Sequence, residues 1–182
     1  MSRLVTEIRG ALRTPRSGTE AITRRVADLV GDCLHHDDLL TVEQLASDPS
    51  DYRQHVLHVE PDSSFSIVAL VWLPGQRTPI HDHISWCVVG NYQGAEEEIR
   101  YRLIDDHGPA FLKPVDTAVN RAGEVAYLTP PGDIHEVRGV EEGVTVSMHV
   151  YGANIAKLGT SIRRRYELPV RATTRQVLTA QT

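Results

Sequence analysis

Apolar residues recur at helical intervals over the first fifty positions and at every second position from Tyr52 onward. The chain therefore reads as a helical N-terminal segment, residues 1–50, followed by an all-β body. Leu4, Ile8 and Leu12 stand four apart, and Ile22, Val26, Leu29, Val30 and Cys33 form a second stripe behind Thr19, a side chain suited to cap that helix. A shorter helix is expected after Thr41, carrying Val42 and Leu45 and ended by Asp48-Pro49-Ser50. Strands are expected over Tyr52 to Val59 and over Phe65 to Trp72, the latter apolar enough to be buried on both faces. Others are expected at His81 to His83, Cys87 to Tyr92, Glu97 to Ile104, Gly123 to Leu128, Ile134 to Arg138 and Val144 to Tyr151. Short strands with turn residues every eight to twelve positions indicate a sandwich or barrel. No repeat, linker or low-complexity run divides the chain, so residues 1–182 are expected to form one domain.

Composition narrows the function. A net charge of -5 argues against nucleic-acid binding, which calls for a basic face. No apolar stretch approaches the length of a membrane helix and the first twenty residues have no secretory apolar core, so the expected location is cytoplasmic. Cys33 and Cys87, the two cysteines, are expected to be free thiols.

The chemistry concentrates in histidines. In a strand, alternate side chains share a face, so His81 and His83 can aim at one point while Asp82 points away. His135 follows a Pro-Gly turn (Pro130-Pro131-Gly132), and a jelly-roll barrel can bring the strand before that turn beside the His81–His83 strand. Three imidazoles converging in this way suit a first-row metal. The bland alternative is a solvated His-Asp-His loop. Ser147, His149 and Tyr151, spaced by two, share one face of a strand, either as an internal hydrogen-bonded chain or as a strand's wet face. His35 and His36 read as solvated residues past a helix end; His55, His58 and His107 read as surface or packing residues, and Trp72 and Trp86 as packing.

These motifs resemble a known family. The spacing from Gly75 through His81, His83 and Cys87 to Gly94 is similar to the first metal motif of the cupin superfamily, and Gly123 through Pro130, Gly132 and His135 is similar to the second, with one extra residue. Cupins usually place a glutamate where this chain has Cys87. The branch with cysteine or glycine there is the thiol dioxygenase family, of cysteine dioxygenase and mercaptopropionate dioxygenase. Its serine, histidine and tyrosine relay is similar to Ser147, His149 and Tyr151. The resemblance runs from about Tyr52 to Arg165 and implies a cupin-type jelly-roll barrel.

It also implies an iron-dependent dioxygenase, with ferrous iron, Fe(2+), held by His81, His83 and His135. A small thiol, cysteine or 3-mercaptopropionate, would be oxidised by dioxygen to a sulfinic acid. Tyr151 would meet the bound oxygen or the substrate carboxylate, and Cys87 stands where some members form a thioether to that tyrosine. The substrate's far end would be met by Gln54, which stands where the mercaptopropionate branch has a glutamine. An arginine after the relay strand would assist it: Arg163, or its neighbours Arg164 and Arg165, with Arg77 a lesser candidate. The alternatives are another metal-dependent cupin enzyme, or a cupin that binds or senses a ligand without catalysis.

Overall fold

The computed structural model describes residues 1–13, 18–105 and 108–171. His107, expected as a surface or packing residue, and residues 172–182 lie outside them.

Helix α1 (Ser2–Leu12) and helix α2 (Thr19–Cys33) form as the periodicity predicts. Thr19 is the first helical residue rather than the cap; Gly18 holds the cap position, extended, with no side-chain bond. The third expected helix is a single 3-10 turn, Glu43–Leu45. Ten strands follow: β1 (Arg53–Val59), β2 (Ser66–Trp72), β3 (His81–His83), β4 (Cys87–Gln93), β5 (Ala95–Ile104), β6 (Phe111–Arg121), β7 (Val125–Leu128), β8 (His135–Gly139), β9 (Thr145–Tyr151) and, after the short helix α3 (Ile155–Leu158), β10 (Ile162–Arg165).

They make two five-stranded antiparallel sheets, ordered β1-β2-β9-β4-β7 and β10-β3-β8-β5-β6. From β2 to β5 and from β6 to β10 successive strands alternate between the sheets, which is the interleaving of a jelly roll. The chain is thus an all-β jelly-roll barrel behind an N-terminal helical segment.

The central strands of the first sheet are buried on both faces, whereas its edge strand β1 is exposed or half-buried. β2 and β9 are inaccessible at every position because α1 and α2 cover the outside while the second sheet faces the inside. Ile67, Ala69 and Val71 of β2, with Val146, Met148 and Val150 of β9, pack on Leu4, Val5, Ile8, Val26 and Val30 of the helices. At Gly90 the helix approaches so closely that an added Cβ would lie 2.5 Å from Val30 Cγ1, so only hydrogen fits there. The alternate residues of β2 and β9 point into the barrel, which is where the site lies.

Two strands were not anticipated. β6 and β10 are the edges of the second sheet and largely exposed, so they carry polar residues and lack an apolar alternation. Pro114 breaks the usual strand pattern within β6; it sits at a bulge where Tyr101 pairs with Pro114 and Arg100 with Asp116, on an edge strand where a missing N–H is tolerated.

Candidate metal centre

β3 is only three residues long, and all three are buried. His81 pairs in register with His135 of β8, so the strand after the Pro-Gly turn, rather than the one before it, brings the third imidazole alongside. Ring centroids of His81, His83 and His135 stand 4.7 to 4.9 Å apart. Their ligand nitrogens lie within 4.8 Å of one another, with every side chain buried.

Each ring is held from behind through Nδ1. His81 donates to the carbonyl of Pro79 at 2.8 Å, His83 to Asp133 Oδ2 at 2.9 Å, and His135 to Glu98 Oε1 at 2.8 Å. Those oxygens are acceptors, which fixes the tautomer and leaves each Nε2 with a lone pair directed at the common point. His135 Nε2 is buried and has no partner among the described residues. Burial, reinforced by the neighbouring imidazoles, pushes His81 down to about 2, and burial likewise lowers His135. The His81 and His135 rings are therefore neutral and able to bind a cation.

The braces are ionised. Burial alone would raise Glu98, but hydrogen bonds from His135 and Arg100 hold it down at about 2. Asp133 is likewise raised by burial and lowered overall by His83, through both side chain and backbone. Three converging imidazole nitrogens, that of His135 buried and unpartnered, fit a divalent first-row ion. The carboxylates stand behind the rings, not in the cluster.

The facing sheet brings a fourth imidazole. Ser147, His149 and Tyr151 point into the barrel, 0%, 5% and 3% exposed, so they form an internal chain and not a strand's wet face. Ser147 Oγ lies 2.9 Å from His149 Nε2, and His149 Nδ1 lies 3.2 Å from the Tyr151 hydroxyl. Trp72 Nε1 donates to Ser147 Oγ at 3.1 Å, so this tryptophan does more than pack. Burial and the nearby His83 and His135 lower His149 to about 3, while burial raises Tyr151 well above its ordinary value. Cys87 is the cross-strand partner of Tyr151; its thiol, also pushed up by burial, lies 3.9 Å from His149 Nδ1. Cys33 and Cys87 are both free.

Between the sheets lies a small cavity lined by the three metal-site histidines, His149 and Tyr151, with Tyr52, Gln54, Thr78 and Ser161 as further polar groups and Leu70, Val89 and Val137 as apolar wall. Its volume of about 30 Å3 exceeds the ~10–15 Å3 that one water needs. No lysine or arginine lines it among the described residues.

The expectation for Arg163 is corrected. Its guanidinium pairs with Asp82, which points away from the cluster and also accepts from the Tyr166 hydroxyl at 2.8 Å. The cause is a bulge between Ile162 and Arg164 where β10 pairs with β3; it leaves Ile162 on the cavity and Arg163 outside. Arg164 stacks over the Tyr166 ring at 4.6 Å, and Arg165 and Arg77 are exposed. Gln54 does reach the cavity. His35 and His36 are exposed, His55 bonds the Ala46 carbonyl at 2.9 Å, and His58 meets Glu60 at 3.0 Å.

Sequence reasoning passed over Asp133, Glu98 and Glu96. The last two lie in the run Glu96-Glu97-Glu98, which reads as a solvated face; the usable signal was period two, since Glu96 and Glu98 are buried and Glu97 is less so.

Fold and site together define a jelly-roll barrel protein with a three-histidine metal-binding cluster. No family model matches the chain. Among curated proteins it is similar to cysteine dioxygenase type 1 of Danio rerio, 29% identical over 94 residues, which cover 50% of this chain and 47% of that protein. The chain thus spans about half the length of the curated relative it matches. Solved structures that resemble it include a cupin 2 conserved barrel domain protein from Salinispora arenicola, 24% identical, covering 62% of this chain and 83% of that one at a TM-score of 0.42. Another is an RmlC-like cupin from Desulfovibrio desulfuricans, 19% identical, covering 65% and 98% at 0.46. A third is a recombinant oxalate oxidase in complex with glycolate, 16% identical, covering 65% and 61% at 0.45. At these TM-scores the likeness adds nothing to the strand order described above. No helix among the described residues is long and apolar enough to cross a membrane.

Proposed function

We propose that this protein is a non-haem iron thiol dioxygenase that converts a small thiol and dioxygen into a sulfinic acid. The carrying observation is the donor set: three imidazoles with no carboxylate among them, facing a buried phenol across a small cavity. The partial likeness to cysteine dioxygenase supports it. His81, His83 and His135 would hold the ion. When bound, ferrous iron supplies a Lewis acid that favours the thiolate over the thiol and a redox centre at which dioxygen becomes reactive.

The chain's own groups do the rest. Asp133, Glu98 and the Pro79 carbonyl lock the three rings in orientation, so the cluster is formed before any ligand arrives. Leu70, Val89 and Val137 keep bulk water from the reacting atoms, and the cavity admits only a short substrate. The Tyr151 hydroxyl, held by His149, orients an oxygen atom of the bound reactants. With no cationic side chain on the wall among the described residues, the far end of the thiol meets Gln54, Tyr52 and Ser161. Both atoms of dioxygen end on the sulfur, so no external reductant is required.

Oxygen uptake by ferrous-loaded protein tests this, with cysteine, 3-mercaptopropionate and cysteamine as substrates. Mole-for-mole consumption of oxygen and one of these thiols, with sulfinate formed, is the expected result. Metal-loaded protein that consumes oxygen with none of them removes the reading and leaves a barrel that binds a ligand or performs other metal chemistry.

A further inference from the structure

Strand β3 carries two of the three clustered histidines and is only three residues long. Its hold on β8 is a single register pair, His81 with His135. Its other neighbour, β10, holds more of it. Ile162, Arg164 and Arg165 pair with His83, Asp82 and His81. Backbone bonds extend the match at both ends, from Ile84 N–H to Ser161 O and from Tyr166 N–H to Ile80 O, each at 2.9 Å. A strand this short, paired mainly with an edge strand, opens readily unless something beyond the ladder retains it.

The segment after β10 retains it. Residues 166–171 leave the β10 edge of the second sheet and reach the opposite edge, where Leu112 of β6 donates to Pro169 O at 2.9 Å and accepts from Arg171 N–H at 2.8 Å. The Arg171 guanidinium lies 4.8 Å from the centre of the Phe111 ring. Between the two edges this strap crosses the outer face of the sheet. Ile99 and Tyr101 alternate along β5 with the inward-turned Glu98, and Tyr166 and Leu168 pack with them, together with Ile80 and Ile134. Ile80 and Ile134 immediately precede His81 and His135 in the chain. The Tyr101 hydroxyl donates to Glu136, the residue after His135.

Asp82 joins the strap to the histidine strand. Standing between His81 and His83 and 1% exposed, it accepts at Oδ2 from the Tyr166 hydroxyl at 2.8 Å and from Arg163, while its Oδ1 has no partner among the described residues. Both donors come from the C-terminal segment, and of the two only Tyr166 is buried. A strap that lifts away leaves a buried carboxylate without a donor, a cost that β3 relieves only by moving. We propose that residues 162–171 are a clamp on the metal centre, with Tyr166 a positioning residue that acts through Asp82 to hold His81 and His83 in place. By linkage the coupling runs both ways: the factor that the docked strap adds to metal affinity, a bound metal adds to docking. Metal occupancy of the cavity is thereby transmitted to the outer face, as the tightness with which residues 169–171 lie on β6.

The inference rests on the histidine cluster and not on the reaction proposed for it, and its test involves no turnover. The full-length protein is compared metal-free and loaded with zinc(II), with amide exchange followed by NMR and zinc affinity measured by competition with a chelator. Loading is expected to slow exchange at the amides of Leu112, Tyr166 and Arg171, which make the strap's bonds, roughly fivefold or more beyond any slowing in β1. Tyr166→Phe keeps the ring in its cluster and deletes the bond to Asp82; its zinc affinity should fall about tenfold, near the lower value of a hydrogen bond to a charged group. Ile8→Val, which trims the core under the helices on the other sheet, is expected to lower the urea midpoint and leave zinc affinity unchanged. Undiminished affinity in folded Tyr166→Phe overturns the proposal, as does an equal loss of affinity in Ile8→Val. So does exchange at those three amides that zinc does not alter, a measurement on the wild-type chain that stands even where a variant fails to fold. A protein that shows the coupling but oxidises no thiol keeps this inference and loses the proposed function; thiol oxidation without the coupling does the reverse.

Discussion

The two sheets present imidazoles to the same cavity and hold them differently. On the second sheet, His81, His83 and His135 are each bound at Nδ1 by a carbonyl or carboxylate oxygen, and Nε2 faces the cluster. On the first, His149 is engaged at both nitrogens, by hydroxyls of Ser147 and Tyr151. One residue type is thus divided by its neighbours between rings with a nitrogen free to take a metal and a ring engaged at both nitrogens, and not by burial, since all four rings are buried. An anionic or carbonyl brace leaves a basic nitrogen free and makes it a better ligand, whereas hydroxyls at both ends leave none to spare.

The largest expected effect breaks that division outright. His135→Ala should lose bound metal to background in elemental analysis, while His149→Ala retains it. Glu98→Gln, which keeps the shape of the brace and removes its charge, should weaken metal affinity ~10–100-fold. Equal metal loss from His149→Ala and His135→Ala would show that all four imidazoles act as one cluster and that the division is wrong.

A smaller effect sharpens the first sheet's share. Tyr151→Phe removes one neutral hydrogen bond in the cavity and should leave metal content unchanged. Turnover of the thiol should fall by about 1 kcal/mol of orientation, roughly fivefold. Lost metal in this variant would place the phenol among the ligands.

Much of this arrangement is legible in the chain because the signals are periodic. The two-residue spacing puts His81 with His83 and Ser147 with His149 and Tyr151, and the apolar stripes of α1 and α2 are plain. What escapes depends on facts that spacing does not carry. Glu96 and Glu98 sit in a charged run, and only the pleat shows that two of its three members turn inward. Arg163 is diverted to Asp82 by a bulge, and no count of residues from Tyr151 reveals where a strand slips by one. β6 was hidden by its polar face and by Pro114, both consequences of an edge position that depends on the completed sheet.

The sheets also differ outside, where among the described residues α1 and α2 roof the first sheet, and this gives the smallest expected effect. At the β1–β2 turn, Glu60 ties the roof to the sheet: it accepts from Arg9 of α1 at 2.7 and 3.0 Å and meets His58 at 3.0 Å. The Arg9 hydrogen bond, followed by that of His58, overcomes burial and lowers Glu60 from its ordinary 4.5 to about 2. A folded-state value below the unfolded one makes the carboxylate stabilising above the ordinary value. That contribution is lost as pH falls from 4.5 toward 2. Arg9→Met should therefore lower the urea midpoint at neutral pH and flatten its decline through that acid window. Because the tie is to the first sheet, amide exchange in β1 and β2 should quicken in this variant while β5 and β8 keep their protection. Equal loosening of both sheets would mean that the helices brace the barrel as a whole, and that the asymmetry between its faces ends at the cavity.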